Sequence, residues 1–264
     1  MGILNVTQAG HVRTIQLQRP EVKNALNSEL AWGVVAALEE AARDDEVWVV
    51  AITGVADAFC AGLDLKSAGE NRHPGSPQTA YLDDVQWVGR FLLGCRQQCD
   101  KPVVAGINGV AVGAGLALAM AADIRIVARS ARLMAGYPRI GGSPDGGLTF
   151  SLAQAIGYEQ AMRFMLENRT VLGEEAVRLG MAGEVVDDER LAARLAEYCA
   201  MLCERSPITL RLTKRGIERA TRSIDLEAQV RLELANITRA FTSEDGREAR
   251  QAFLEKRAPV FKGK

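Results

Sequence analysis

The chain has 264 residues and a mass of 28.5 kDa, enough for one large domain, or one domain with an appendage, to bury a sizeable core. Its hydrophobic share of 48% and charged share of 25% are those of a soluble globular protein. A net charge of -1 excludes the basic footprint of a nucleic-acid-binding protein.

Reactive side chains are few. The cysteines show no C-x-x-C spacing, which predicts free thiols in a reducing compartment. The two histidines, His11 and His73, are too few for a zinc site or a Ser-His-Asp triad, so we expect no metal and no separate cofactor. Residues 1–10 show no signal peptide, and Asn108 and several glycines interrupt the apolar residues 103–122. We therefore expect a cytoplasmic protein without a membrane span.

Strands and helices alternate early in the chain and helices dominate later. The first half predicts strands at residues 12–17, 47–53, 103–107 and 124–128, a helix capped by Asn27, a polar loop at 67–77 and a helix at about 81–97. After a glycine-rich loop at 135–147, helices are predicted at about 148–156, 159–167, 174–179, 188–204, 208–220, 226–241 and 244–255. This order predicts an α/β core over residues 1–206 and a helical region over residues 207–264. The helical region has little core of its own, so we expect it to pack on another subunit.

Residues 101–122 (KPVVAGINGVAVGAGLALAMAA) hold the first candidate site. They read as a buried strand, an Asn-Gly turn and a small-residue loop, Gly113-Ala114-Gly115, that opens a helix. The first N–H groups of a helix lack intrahelical acceptors, and residues this small let a ligand lie against the backbone. We expect backbone amides here to hold a negatively charged oxygen.

A second stretch has the same order of parts. Residues 49–65 (VVAITGVADAFCAGLDL) and 103–118 (VVAGINGVAVGAGLAL) each contain an apolar strand, a Gly-Val turn and Ala-Gly-Leu-x-Leu. This comparison places Ala61 on Ala114, Gly62 on Gly115 and Leu63 on Leu116, which suggests two similar amides directed at one atom. The alternative is that any buried strand before a small-residue turn looks alike, and spacing does not decide between them.

Asp145, in the run SPDGG, is the candidate general base. A carboxylate in a glycine-rich, charge-poor loop can have a raised pKa, although Pro-Asp-Gly is also a common turn and Asp145 can be a helix cap. Asp64 reads as a cap or structural partner, Tyr137 as a wall of the site and Arg139 as exposed loop charge. The dinucleotide fingerprint fails at Leu118, and a P-loop pattern is absent from the sequence.

These motifs resemble the crotonase (enoyl-CoA hydratase/isomerase) superfamily over essentially the whole chain. The matching runs are RPEVKNALN (19–27), AFCAGLDL (58–65), KPVVAGINGVAVGAG (101–115), ADIRIVARSARL (122–133) and FLEKRAPVFKGK (253–264). The resemblance implies a spiral of repeated β-β-α units and C-terminal helices that form a homotrimer or a dimer of trimers. It also implies an acyl-CoA thioester substrate, with coenzyme A as part of that substrate.

The resemblance also assigns roles to residues. The thioester oxygen would lie in a hole formed by two amides, which fall by motif on Ala61 and Ala114. The residues expected to line the substrate path are Lys23, Ala25, Gly62, Leu63, Asp64, Leu65, Gly113, Tyr137 and Pro138.

The chain departs from typical hydratases at both catalytic carboxylates. Ala117 stands at the position of the first glutamate, and Arg139 follows Pro138 at the position of the second. Asp145 lies where members similar to ring-epoxide phenylacetyl-CoA isomerases have their aspartate. Arg90 stands where aryl-CoA dehalogenases supply a histidine, and the sequence assigns a role neither to Arg90 nor to Arg139.

One carboxylate suffices to move a proton, whereas addition of water usually uses two. We therefore rank an acyl-CoA isomerase first and an enoyl-CoA hydratase second. A hydrolase or dehalogenase with Asp145 as nucleophile, and an acyl-CoA-binding protein without catalysis, are the other hypotheses. The sequence does not predict which acyl group is bound, and it does not distinguish a trimer from a hexamer.

Overall fold

Two β-sheets and the helices around them make up the fold, which is described by a computed structural model of residues 2–67, 72–222 and 225–264. The strands are β1 (Leu4–Ala9), β2 (Val12–Leu17), β3 (Val49–Gly54), β4 (Ala58–Cys60), β5 (Val103–Ile107), β6 (Val110–Val112), β7 (Ile124–Ala128), β8 (Arg132–Met134), β9 (Val171–Leu172) and β10 (Glu184–Val186). The α-helices are α1 (Ser28–Arg43), α2 (Pro77–Tyr81), α3 (Gln86–Leu93), α4 (Ala114–Ala121), α5 (Tyr137–Ile140), α6 (Leu148–Ile156), α7 (Tyr158–Glu167), α8 (Gly173–Leu179), α9 (Leu191–Cys203), α10 (Pro207–Ala220), α11 (Leu226–Thr242) and α12 (Glu244–Glu255).

From β3 to β8, successive strands alternate between two sheets. The larger sheet has the order β1-β2-β3-β5-β7-β10, and the smaller has the order β4-β6-β8-β9. Strands β3, β5 and β7 pair in parallel, and each is followed by a short strand of the smaller sheet. This repeats a β-β-α unit along the chain, so the predicted spiral fold class is confirmed.

The first helix and the central strands form where the sequence predicts them. The Asn27 side chain accepts a hydrogen bond from Leu30 N–H at 2.9 Å and thereby caps α1. One face of α1 is buried in the core. Strands β3 and β5 are almost wholly buried, as expected for parallel strands covered on both faces.

The predicted helix at residues 81–97 is interrupted. Helix α2 ends at Tyr81, α3 begins at Gln86, and residues 94–98 form a π-helical turn. Asp83 lies at this break, and its carboxylate accepts from the N–H groups of Val85, which precedes α3, and of Gln86, its first residue. Of the predicted loop at residues 67–77, residues 68–71 lie outside the described residues, and the predicted loop at 135–147 contains α5.

Helix α11 has no buried residue and exposes one continuous apolar stripe. Within the described ranges, no helix is long and apolar enough to cross a membrane. The stripe, with exposed fractions of 45% to 76%, consists of Leu226, Val230, Leu234, Ile237 and Phe241. These residues recur at the three- and four-residue spacing of one helix face.

Candidate active site

Strands β4 and β6 lie side by side and bring two loops together. They are parallel, and Cys60 of β4 pairs with Ala111 of β6. Leu63 and Ala114 each lie three residues further along. Because parallel strands end at the same edge of a sheet, the backbone at Leu63 lies beside the backbone at Ala114.

The three amides after β4 differ in their partners. Ala61 N–H donates to the Lys23 carbonyl oxygen at 2.9 Å, and Gly62 N–H donates to Cys60 Sγ at 3.5 Å. Among the described residues, nothing accepts a hydrogen bond from Leu63 N–H. The prediction that Ala61 supplies a free donor is therefore wrong, because its own chain already uses that amide, and the free donor of this loop is Leu63.

The second free donor is Ala114. It is the first residue of α4, so its N–H has no acceptor within the helix, and no other described atom accepts from it. Gly62 has φ +90°, and a Cβ on it would lie 2.6 Å from the Val112 carbonyl oxygen and 3.7 Å from Ala114 N. Only glycine permits this conformation and this approach, so the N–H groups of Leu63 and Ala114 emerge at neighbouring points.

Asp145 lies near the start of α4 through its contact with Tyr137. The Tyr137 hydroxyl donates to Asp145 Oδ1 at 2.8 Å. A Cβ on Gly113 would lie 4.0 Å from Tyr137 Cζ, so the phenol ring lies beside the residue that precedes Ala114. The pair therefore places a carboxylate on the side of α4 where the free amide is found.

Burial raises the pKa of the Asp145 carboxyl group, although the residue as a whole stays open to solvent, and the hydrogen bond from Tyr137 opposes the rise. Burial and the neighbouring charge of Asp145 raise the pKa of Tyr137 well above its usual value. Tyr137 therefore stays protonated and remains a donor at neutral pH. Asp145 is a carboxylate whose basicity is increased by its surroundings.

The backbone after Asp145 fills the space beside Ala117. Ala117 is buried in α4, and a Cβ on Gly146 would lie 2.9 Å from the Ala117 methyl group. Pro138 and Arg139 are exposed on α5. Neither Ala117 nor Arg139 offers a second carboxylate, so the chemistry available here is that of one aspartate and two amides.

The residues predicted to line the substrate path make structural contacts of their own. Lys23 Nζ lies 3.0 Å from Asp57 Oδ2, with both side chains largely exposed. Arg19 donates to the Ala25 carbonyl oxygen at 2.6 Å and to Asp64 Oδ2 at 3.0 Å. Asp64 is thus the ion-pair partner of Arg19 and fixes the loop that carries Leu63.

Sequence reasoning missed Asn24, which organises the turn before β4. Asn24 is fully buried, and its side-chain amide donates to the carbonyl oxygens of Ala58 at 2.7 Å and Val55 at 3.0 Å. Its Oδ1 accepts from Arg19 N–H at 2.8 Å. Asn24 could have been recognised only from its place in the motif RPEVKNALN, because hydrophobic periodicity does not indicate a role for it.

The side chains of Leu63 and Leu65 are exposed near the free amides. Burial raises the pKa of the Cys60 thiol to about 12, which leaves that thiol unreactive at neutral pH. The part of the chain that the structure describes holds no group of three His, Cys, Asp or Glu residues arranged for a metal ion.

A cleft of about 1100 Å³ lies elsewhere in the molecule. Its walls include Thr14 of β2, Thr53 of β3 and Leu195 of α9. It also reaches Asp57 and Val110, which lie at the beginning of β4 and β6, whereas the free amides follow their ends. The cleft is therefore separate from the candidate active site.

Parallel strands that end in two free backbone amides, with a carboxylate close by, define a site able to stabilise an oxygen anion and move a proton. The model of the Enoyl-CoA hydratase/isomerase family matches residues 7–264. The chain is 36% identical over 262 residues to the 1,2-epoxyphenylacetyl-CoA isomerase of Escherichia coli (strain K12), covering 99% of this chain and 98% of that protein. It is also 32% identical over 267 residues to the 2,3-dehydroadipyl-CoA hydratase of the same organism, covering 100% of both.

Solved structures agree with these matches. The enoyl-CoA hydratase from Bacillus anthracis superimposes with a TM-score of 0.89 at 29% identity, covering 100% of both chains. The chain belongs to the enoyl-CoA hydratase/isomerase family, which is the crotonase superfamily that its motifs resemble. Its relatives include isomerases and hydratases.

Proposed function

We propose that the protein is an acyl-CoA isomerase that shifts a proton through a thioester enolate. The observation that carries this proposal is the pairing of two free amides, Leu63 N–H and Ala114 N–H, with the single carboxylate Asp145. Two donors aimed at one oxygen stabilise the negative charge that develops when a neighbouring carbon loses a proton. Removal of one such donor typically costs about 3–4 kcal/mol, so the amides contribute as much as the base.

Asp145 takes a proton from a carbon near the thioester and returns it at another carbon. The bonding electrons of the broken C–H bond pass into the enolate, and they return when the new C–H bond forms. The product has the same atoms as the substrate, with a double bond moved. Where a strained ring opens instead, the electron pair of the enolate breaks a ring C–O bond, and Asp145 returns the proton to the released oxygen. Tyr137 holds one carboxylate oxygen and orients the base for both transfers.

The absence of a carboxylate at Ala117 and Arg139 supports isomerisation over hydration, since one base shuttles a proton but addition of water usually uses a second group. Hydration is the second candidate because relatives such as the 2,3-dehydroadipyl-CoA hydratase carry that name. The likeness to the 1,2-epoxyphenylacetyl-CoA isomerase supports the first.

The test uses a 3-enoyl-CoA and a 2-enoyl-CoA with the wild type, Asp145→Ala and the exposed control Asp84→Ala, and it follows products by mass spectrometry. We expect an isomer of unchanged mass from the 3-enoyl-CoA, and loss of this turnover in Asp145→Ala only. A product that gains one water from the 2-enoyl-CoA supports hydration instead. Unchanged turnover in Asp145→Ala removes Asp145 from the mechanism. A covalently modified Asp145 in a single turnover indicates a hydrolase or dehalogenase, and tight binding without turnover indicates a binding protein.

We also propose that residues 207–264 assemble the protein into a trimer or a dimer of trimers. The support is the apolar stripe on α11, which the single chain leaves exposed. A stripe of five large apolar side chains in water is unfavourable, and burial against a second copy removes that cost.

A further inference from the structure

Asp83 is a hub of hydrogen bonds at the beginning of α3. Its Oδ1 accepts from Val85 N–H at 3.1 Å, from Gln86 N–H at 3.2 Å and from the Arg90 guanidinium at 3.1 Å. Its Oδ2 lies 3.1 Å from His73 Nε2. The side chain is only 5% exposed, so these are interactions of a buried carboxylate.

The two side chains that bind Asp83, those of His73 and Arg90, both contact the ring of Trp32. His73 Nδ1 accepts from Gly75 N–H at 2.9 Å, so the neutral ring carries its proton on Nε2 and donates it to Asp83. The Arg90 guanidinium carbon lies 5.6 Å from the centre of the Trp32 ring, and the His73 ring meets that ring edge-on at 4.7 Å. These contacts bind α3 to α1 and to the segment before α2.

The electrostatics agree with a carboxylate held in its charged form. Burial by itself raises the pKa of Asp83, but hydrogen bonds from Val85 and Gln86 and the charge of Arg90 outweigh it and lower the pKa below its usual value. Gln86, the first residue of α3, has φ +54°, a left-handed conformation that a non-glycine residue adopts only when its neighbours impose it. Asp83 is the neighbour that holds the Gln86 amide.

The other side of α3 packs against the loop that carries Asp145. A Cβ on Gly146 would lie 3.0 Å from Val88 Cγ2, and a Cβ on Gly147 would lie 2.2 Å from Leu92 Cδ2. Val88 and Leu92 therefore lie directly against the backbone of the two residues that follow Asp145. A displacement of α3 moves this backbone with it.

We infer that Asp83 is a positioning residue for Asp145, acting through α3, and that Arg90 serves the same function as its ion-pair partner. This inference rests on the proposed function, in which Asp145 is the base. Misplacement of a catalytic group by about 1 Å costs up to about a hundredfold in rate, so a shift of α3 that moves the backbone beside Asp145 has a measurable effect on turnover.

The test compares Asp83→Asn with Asp84→Asn, which changes the adjacent exposed aspartate. With a 3-enoyl-CoA, we expect Asp83→Asn to lower kcat by about tenfold to a hundredfold and to leave KM within about twofold. We expect Asp84→Asn to behave as the wild type. Equal kinetics for the two variants, or a raised KM with unchanged kcat, overturns the inference.

A second variant covers the case in which Asp83→Asn does not fold. Arg90→Met keeps an unbranched, flexible side chain but removes the guanidinium group and its charge, and we expect it to lower kcat by about threefold to tenfold while the circular dichroism spectrum stays that of the wild type. An unchanged kcat in a folded Arg90→Met overturns the inference. If Asp145→Ala retains turnover, the proposed function fails as well. If Asp145→Ala is inactive while Asp83→Asn turns over normally, the inference alone fails.

Discussion

The Tyr137 hydroxyl donates to Asp145 Oδ1 at 2.8 Å, and this bond fixes the direction in which the carboxylate faces. The same bond lowers the pKa of Asp145, while burial raises it. One neighbouring phenol therefore orients the base and also limits the rise in its pKa that burial causes.

Tyr137→Phe removes this donor and keeps the ring. The pKa of Asp145 then rises further, so we expect the acid limb of the kcat/KM profile to move to higher pH and kcat to fall at neutral pH. The measurement is a pH–rate profile from pH 4 to 9. The control is Tyr158→Phe, because Tyr158 is a highly exposed tyrosine at the first position of α7. An acid limb that stays in place or moves to lower pH contradicts the assignment.

Ala114→Pro deletes one backbone donor. Proline is tolerated at the first position of a helix, and Gly113 before it has φ 55° and ψ −122°, outside the α region that proline disfavours. We expect kcat to fall by about 10²–10³-fold with a small change in melting temperature. The control is Tyr158→Pro, which places proline at the first position of α7 after another glycine. Full activity in Ala114→Pro shows that this amide does not hold the oxygen.

Ala117→Glu places a carboxylate where typical hydratases carry one, but we do not expect it to confer hydratase activity. The space beside the Ala117 methyl group is filled by Gly146, and a longer buried side chain that carries a charge has no room and no partner. We expect a loss of unfolding free energy of at least about 1–3 kcal/mol and no gain of hydration. Urea denaturation and a 2-enoyl-CoA assay measure the two effects. A stable variant with new hydratase activity refutes the steric argument.

Asp145→Asn is expected to stabilise the protein at neutral pH. A carboxyl group with a higher pKa in the folded than in the unfolded chain is harder to ionise when folded, so its contribution to stability is present at low pH and is lost as pH rises through the folded pKa. Asparagine cannot ionise and avoids this loss. Melting temperatures should favour the variant at pH 7 and converge towards about pH 4. If the melting temperature of the variant minus that of the wild type is smaller at pH 7 than at pH 4, the prediction is wrong.

Leu234→Glu places a charge in the middle of the apolar stripe on α11. If this stripe is buried between copies, the charge is desolvated there, and we expect the assembly to dissociate to smaller species. Light scattering after size-exclusion chromatography measures the mass. Ala235→Glu adds the same charge on another side of the helix and should keep the wild-type mass. Equal masses for all three proteins exclude the stripe as the interface.

The sequence predicted β2, α1, β3, β5 and the helix after Gly113, because each carries a strong apolar pattern or a capping residue. It assigned the first donor to Ala61 because the shared run Ala-Gly-Leu-x-Leu aligns Ala61 with Ala114, as does the family motif. Val50 pairs with Val103, a separation of 53 residues, and that separation also links Ala61 to Ala114 in the sequence comparison. The turns between the paired strands differ in length and β4 has an irregular register, so the separation falls to 51 residues at Cys60 and Ala111.

The sequence also did not predict the contacts between side chains of different elements. His73 and Asp83 lie ten residues apart on either side of a helix, and no period of the sequence connects them. The sequence predicted one helix running through Asp83, because periodicity does not reveal the break there. The bond from Arg90 to Asp83 depends on where α3 lies against Trp32. Such contacts follow from tertiary packing alone.

Both free donors belong to the main chain, so ordinary side-chain replacement at positions 63 and 114 leaves them intact. The exposed side chains of Leu63 and Leu65 can therefore be changed without removing either N–H donor. At the exposed Leu63, random substitution should therefore abolish activity mainly where proline removes the N–H, whereas the buried Ala114 also excludes large side chains. Substitution of these two leucines can thus alter the surface around the site while both main-chain donors remain in place.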